Sequence, residues 1–192
     1  MNDLEQALIH LVSVLDRLRI PYMVIGGFAN TVWGEPRATI DIDVTVWIAE
    51  PEISATIEHL VSVYPARVAD PLAFAMQTRV LPLVSPEGVN VDVIFGMLLF
   101  EELAIQRAVI RPVAGLPVRF CTPEDLILHK VISDRERDLL DARGITLRRF
   151  STLDVGYLEP RVSELALQLD RPEIRARWEA WKLEASTGRG ET

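Results

Sequence analysis

Apolar residues recur at Leu4, Leu8, Leu11, Val12, Leu15 and Leu18, the spacing of one helical face, and predict an amphipathic helix over residues 3–18. Pro21 ends the turn that follows. Tyr22-Met23-Val24-Ile25 is apolar throughout and reads as a short buried strand that runs into Gly26-Gly27. Phe28 to Trp33 then predicts a short helix closed by Gly34. From Ile40 to Ile48 the period changes to two. Ile40, Ile42, Val44 and Val46 fall on one strand face, and Asp41, Asp43 and Thr45 on the other.

Residues 51–62 predict a helix opened by Pro51. Arg79–Val84 and Val89–Phe95 predict two strands joined around the turn Pro86-Glu87-Gly88. Phe100–Arg107 reads as helical. Ala108–Val113 and Pro117–Phe120 form a further hairpin-like pair across Ala114-Gly115. After Phe120 the pattern turns helical. Thr122 is placed as an N-cap with Pro123 behind it, opening a helix that runs to about Arg143 and ends at Gly144. Two more helices are predicted near 159–169 and 172–186, the second capped by Asp170 and carrying Ile174, Trp178 and Trp181 on one side. The expected organisation is an α/β (α+β) sheet domain over residues 1–118, a helical region over 119–186 packed on it, and a disordered tail over 187–192.

Composition narrows the class. Hydrophobic residues make up 49% of 192 positions, enough for a sizeable core and unlike a disordered chain. The formal net charge is -8, which argues against broad charge-driven binding to nucleic acid. A single cysteine, Cys121, excludes an internal disulfide, and a small buried role is expected for it. The longest apolar stretch, Val93–Phe100, is far too short for a membrane span. The acidic start, Met1-Asn2-Asp3-Leu4-Glu5, lacks the basic-then-apolar pattern of a signal peptide. A soluble cytoplasmic protein is expected. The histidines His10, His59 and His129 are too scattered to predict a metal cluster.

The informative chemistry lies in the acidic strand. Asp41 and Asp43 stand two residues apart, so their side chains point the same way, about 6.5–7 Å apart along the backbone. Like charges so placed repel, and partial burial makes ionisation costlier. A hard divalent cation such as magnesium relieves both costs. Asp92, in Asn90-Val91-Asp92-Val93-Ile94-Phe95, is another carboxylate in an apolar strand and joins the pair if the two strands are neighbours. The alternative is a set of solvated aspartates on an open sheet face. Gly26-Gly27, between strand and helix, lets backbone amides approach a phosphate at a helix N-terminus, although a plain strand-to-helix turn explains the glycines equally well. The spacing is neither a Walker loop nor a dinucleotide fingerprint.

Taken together, Gly26-Gly27, Asp41-Ile42-Asp43 and Asp92 resemble the pattern of the DNA polymerase β-like nucleotidyltransferase superfamily. The preceding Arg37-Ala38-Thr39 is similar to AbiEii-type and related small bacterial nucleotidyltransferases. The resemblance extends to Thr122–Lys130 and Asp134–Asp141, and so covers most of residues 20–145. It implies a mixed sheet flanked by helices, followed by a C-terminal helical region. It also implies transfer of a nucleoside monophosphate from a nucleoside triphosphate to a hydroxyl. Asp41, Asp43 and Asp92 would be catalytic and would hold two magnesium ions. Gly26, Gly27, Arg37, Thr39 and Lys130 would contact the nucleotide. For Lys130 the alternative is a surface pair with Asp134. Arg37 would meet the nucleotide or brace the aspartates, and its alternative is a plain loop arginine. Asp138 and Asp141 are expected to brace Lys130 and Arg137 rather than to act in catalysis.

Three functions compete at this stage. One is a toxin of a toxin–antitoxin pair that modifies tRNA or protein, with an antitoxin as partner. The second is an aminoglycoside-type antibiotic adenylyltransferase, which the acidic net charge favours slightly. The third is a catalytically inactive binding module or antitoxin-like protein, against which the presence of all three carboxylates counts.

Overall fold

The protein is described by a computed structural model over residues 1–187. Its contacts divide the chain into two units. The first comprises Met1–Phe28 and Ala38–Cys121, and the second Ala29–Arg37 together with the chain from Thr122 onward.

The first unit holds a six-stranded mixed sheet with helices. Helix α1 (Asp3–Arg17) opens with a capping box: the Asn2 side chain accepts from the Glu5 amide, and the Glu5 carboxylate accepts from the Asn2 amide. Its apolar face is buried through Leu8, Leu11 and Leu15, each fully excluded from solvent. The strands are β1 (Tyr22–Ile25), β2 (Asp41–Val46), β3 (Val80–Val84), β4 (Asn90–Phe95), β5 (Val109–Val113) and β6 (Leu116–Phe120). Their order across the sheet is β3-β4-β2-β1-β6-β5. Strands β2 and β4 run parallel, as do β1 and β6, and the remaining pairs are antiparallel. The expected α/β class and mixed sheet are therefore observed.

The central strands alternate as their sequence requires. Ile42, Val44 and Val46 on β2, and Val91 and Val93 on β4, are fully buried, while Asp41, Asp43 and Asp92 lie on the other face at intermediate exposure. Strand β2 begins at Asp41, one residue later than expected, and Ile40 is 75% exposed. Helix α2 (Gly26–Trp33) starts directly at the glycine pair rather than at Phe28. Helix α3 (Ile53–Val63) follows a 3-10 turn at Glu50–Glu52, where Pro51 sits.

Helix α4 (Pro71–Thr78) was not expected. Asp70 caps it by accepting from the Ala73 amide at 2.9 Å, with Pro71 at the first position, so its start is written in the sequence. Its end is hidden, because the left-handed cap is Arg79 at φ 63° where glycine is the usual signal. The same cap delays β3 to Val80. Helix α5 (Leu99–Arg107) follows β4.

The second unit is helical: α6 (Pro123–Val131), α7 (Glu136–Arg149), α8 (Val155–Gln168) and α9 (Pro172–Thr187). Thr122 caps α6 as expected, and its hydroxyl donates to the buried Asp125 carboxylate at 2.7 Å. The single helix expected from Thr122 to Arg143 is instead two. The break at Ile132–Arg135 is held by Ser133, whose hydroxyl donates to Asp138 at 2.8 Å and accepts from the Arg135 amide at 3.1 Å. Gly144 does not end α7. Ala142, Ile145 and Thr146 around it are buried, and that packing outweighs the helix penalty of a glycine, about 1 kcal/mol. Helix α8 begins one turn before the expected site because Asp154 caps it, accepting from the Tyr157 amide at 2.9 Å. Thr187 closes α9, and residues 188–192 of the expected tail lie outside the described residues. Among the described residues no helix is long and apolar enough to cross a membrane.

Trp178 is the largest fully buried side chain, 1% exposed within the helical unit. Trp178→Ala is expected to destabilise the protein by about 3–5 kcal/mol in urea denaturation. An unchanged midpoint would show that this tryptophan is not a core residue.

Candidate active site

The candidate site in the first unit is built on the parallel β2–β4 pair. Its register sets Asp43 opposite Asp92 and Asp41 opposite Asn90. Neighbouring strands are about 4.8 Å apart, so the three aspartates share one patch of one face. The burial of the opposite face locks this register, since a one-residue slip would exchange the valines for the aspartates.

The protein already answers part of this negative charge. Asn90 donates its side-chain amide to the Asp41 carboxylate at 3.2 Å. Arg67 forms an ion pair with the Asp92 carboxylate. Thr39 donates its hydroxyl to the backbone carbonyl of Asp41 at 3.3 Å, which steadies the start of the strand. Neither Asn90 nor Arg67 was expected. Asn90 is legible in hindsight, since it stands two residues from Asp92 and shares its face. Arg67 lies 25 residues away on a loop and carries no local signal.

Gly26 follows β1, whose last residue Ile25 registers with Asp43. Its φ is +64°, a region that disfavours other residues, and a methyl group on its Cα would overlap the Asp43 carboxylate. Gly26 is thus required both by the turn and by the close approach of Asp43. Gly27 is buried in the first turn of α2.

The donor chemistry suits a hard divalent cation, and Asp41, Asp43 and Asp92 are all of intermediate exposure. Among the described residues, however, no group of three or more His, Cys, Asp or Glu side chains is arranged as a metal cage. Magnesium does not need one. It keeps several waters and binds through one or two carboxylates together with substrate phosphates. The residues therefore fit a cation that arrives with a phosphate ligand better than a cation held by protein alone.

Arg37 and Lys130 belong to the second unit and converge there on Asp141. Arg37 grips this carboxylate with both edges of its fork, Nε at 3.1 Å and a terminal nitrogen at 2.9 Å. Lys130 is 4% exposed and donates to Asp138 and Asp141, both at 2.8 Å. Asn30 adds an amide to Asp141 at 3.2 Å. Asp134 does not pair with Lys130 and instead faces Arg171. Burial by itself raises the Asp141 and Asp138 carboxyls. The hydrogen bonds and charge of Lys130 outweigh it, joined by Arg37 at Asp141 and by Ser133 and Arg135 at Asp138, so both are held below the ordinary carboxylate range. Within this unit both cations are therefore paired with Asp141.

A family model described as "Nucleotidyltransferase of unknown function (DUF6036)" matches residues 1–184. No curated protein matches the sequence. Among solved structures, an antigenic nucleotidyltransferase-like protein from Paracoccidioides brasiliensis is similar at 19% identity and a TM-score of 0.51, covering 93% of each chain. The lincomycin-bound lincosamide antibiotic adenylyltransferase LnuA is similar over 74% of this chain and 96% of its own, at 15% identity and a TM-score of 0.53. The antibiotic-resistance factor ANT(2'')-Ia in solution is similar over 97% of this chain and 100% of its own, at 19% identity and a TM-score of 0.52. At such identities the likeness is one of fold.

Two outcomes follow from the geometry. Gly26→Ala is expected to cost about 1–3 kcal/mol in urea denaturation, because it strains the backbone and displaces Asp43. No loss would mean that the turn relaxes freely. The second concerns acid. The depressed Asp138 and Asp141 carboxyls contribute stability that is complete above the unfolded value near 3.9 and is lost as pH falls through their lower folded values. Urea melts from pH 6 to pH 2 should therefore show an acid limb below about pH 4, and Asp138→Asn should flatten it. An identical limb in that variant would remove Asp138 from the cause.

Proposed function

Because the chain belongs to the DUF6036 family of nucleotidyltransferases of unknown function, we propose that it transfers a nucleoside monophosphate from a nucleoside triphosphate to a hydroxyl of a small, cationic acceptor. The observation that carries this reading is the β2–β4 register, which sets Asp43 beside Asp92 and Asp41 two residues away on the same face.

Asp41, Asp43 and Asp92 would hold two magnesium ions together with the triphosphate. Bound there, the ions supply charge neutralisation for the phosphates and for the leaving pyrophosphate. The chain's own residues account for the rest. The backbone amides of Gly26 and Gly27 donate to phosphate oxygens at the N-terminus of α2. Asp92 accepts the proton of the acceptor hydroxyl. That oxygen then forms a bond to the α-phosphorus while the bond from phosphorus to the bridging oxygen of pyrophosphate breaks. Thr39 and Asn90 keep Asp41 in place during the step. Arg37 and Lys130 act as structural cations around Asp141 in this reading, not as phosphate ligands.

Two facts support a small cationic acceptor. The chain carries a net charge of -8, which repels nucleic acid and suits a polyamine-like sugar. Two of the structurally similar proteins are linked to antibiotics, one named as a lincosamide adenylyltransferase and the other as an antibiotic-resistance factor. A toxin acting on tRNA or protein remains an outcome that the same experiment detects.

The test is label transfer. The protein is incubated with magnesium, each α-labelled nucleoside triphosphate, and separate pools of aminoglycosides, lincosamides, tRNA and protein. Label is expected in a drug pool, and Asp43→Ala is expected to abolish it while the circular dichroism spectrum stays unchanged. Undiminished transfer by Asp43→Ala would remove the carboxylate site from the chemistry. Transfer to tRNA alone would replace the acceptor class.

A further inference from the structure

Arg67 stands in the loop between α3 and α4, and the backbone aims it with care. Residues Pro65–Arg67 lie alongside β3: Ala66 bridges Leu83, the Arg67 amide donates to the Pro82 carbonyl at 2.9 Å, and the Val84 amide donates to the Pro65 carbonyl at 2.9 Å. The side chain is fixed a second time, because Nε donates to the Leu83 carbonyl at 3.1 Å. What remains of the guanidinium fork reaches the Asp92 carboxylate. Each partner keeps about a third of its side-chain surface in solvent, 32% in both cases. This contact is therefore specific in direction yet open to exchange, unlike the closed Lys130 cluster, where the lysine is 4% exposed.

We infer that Arg67 is a positioning residue for the third carboxylate and the built-in counter-cation that sets how tightly the site takes a divalent metal. The inference rests on the carboxylate reading of the site given above. Three carboxylates on one patch repel, and a fixed positive charge at Asp92 lowers that repulsion without filling the patch. It also holds the Asp92 side chain toward the β3 side of the pair, where Pro82 registers with Asp92. A divalent ion bound at the aspartates must share Asp92 with a guanidinium or displace it. Metal binding in the absence of nucleotide is therefore weak, and the phosphates that accompany the ion supply what Arg67 withholds.

The experiment is a manganese titration followed by electron paramagnetic resonance, on the full chain without nucleotide at about 0.1 M salt. Arg67→Gln is expected to bind manganese about tenfold more tightly than the unaltered protein, the effect of removing one positive charge roughly 6 Å from a divalent ion in an aqueous dielectric. Arg67→Lys keeps the charge and is expected to stay near the unaltered affinity. Arg19→Gln removes an equal charge beside the opposite end of β1 and is expected to change nothing. A merely structural arginine gives the contrary result, since its loss would loosen the site and weaken binding. Unchanged or weaker manganese binding by a folded Arg67→Gln variant overturns the inference while leaving the carboxylate site standing. If that variant does not fold, Arg67→Met is read the same way. Absence of manganese binding in every variant, indistinguishable from Asp43→Asn, overturns the carboxylate reading and this inference together.

Discussion

Two carboxylates directly opposite each other on a parallel strand pair are an electrostatic cost that the rest of the first unit is arranged around. Asp43 and Asp92 occupy that relation, with Asp41 one pleat away. Like charges about 5–6 Å apart repel by roughly 1–3 kcal/mol at effective dielectrics between those of water and a protein surface. That is a substantial fraction of the net stability of an ordinary domain. The opposite face holds the arrangement in place. Ile42, Val44, Val91 and Val93 are fully buried, and they cannot leave the core without taking the whole register with them. Core packing therefore fixes the aspartates where their own electrostatics would not.

The two units treat acidic groups in opposite ways. In the second, Asp138 and Asp141 meet Lys130 and Arg37, and Asn30 and Ser133 add hydrogen bonds. Charge and hydrogen-bonding capacity are matched, and Lys130 and Asp141 are buried. In the first, three carboxylates meet the Asn90 amide and an Arg67 guanidinium that stays partly in solvent. All three aspartates there stay at intermediate exposure. A closed cluster stabilises a fold, whereas an open negative patch attracts cations.

Much of this was legible in the residues because it depends on period and order. The alternation from Asp41 to Val46 assigns the two faces of β2 correctly, and Asn90–Phe95 does the same for β4. The glycine pair marks the turn into α2. What was not legible depends on contacts that local pattern does not encode. Arg67 reaches Asp92 across 25 residues of chain, and no spacing rule reports that. Helix α4 hides its end because an arginine adopts the left-handed cap that glycine normally announces. The break between α6 and α7 turns on the Ser133 hydroxyl, one side chain in a run of residues otherwise compatible with a continuous helix. Gly144 misleads in the other direction, since burial of its neighbours keeps it inside α7. Asp138 and Asp141 brace Lys130 as expected, whereas the reach of Arg37 to Asp141 across 104 residues carries no local signal.

Under the proposed reading, the looseness of the carboxylate patch has a chemical consequence. A site with three carboxylates drawn into a closed cage would take magnesium whether or not a nucleotide were present. A patch whose members are spaced by strand geometry, and partly answered by Asn90 and Arg67, gains most from an ion that brings phosphate oxygens with it. Metal and nucleotide affinities are then coupled through shared ligands, which is the requirement for a positive coupling free energy between them. Because the buried faces of β2 and β4 fix that geometry, the acceptor cannot be chosen there. The selection of an acceptor falls to residues outside the strand pair, where changes of side chain leave the register, and hence the transfer chemistry, intact.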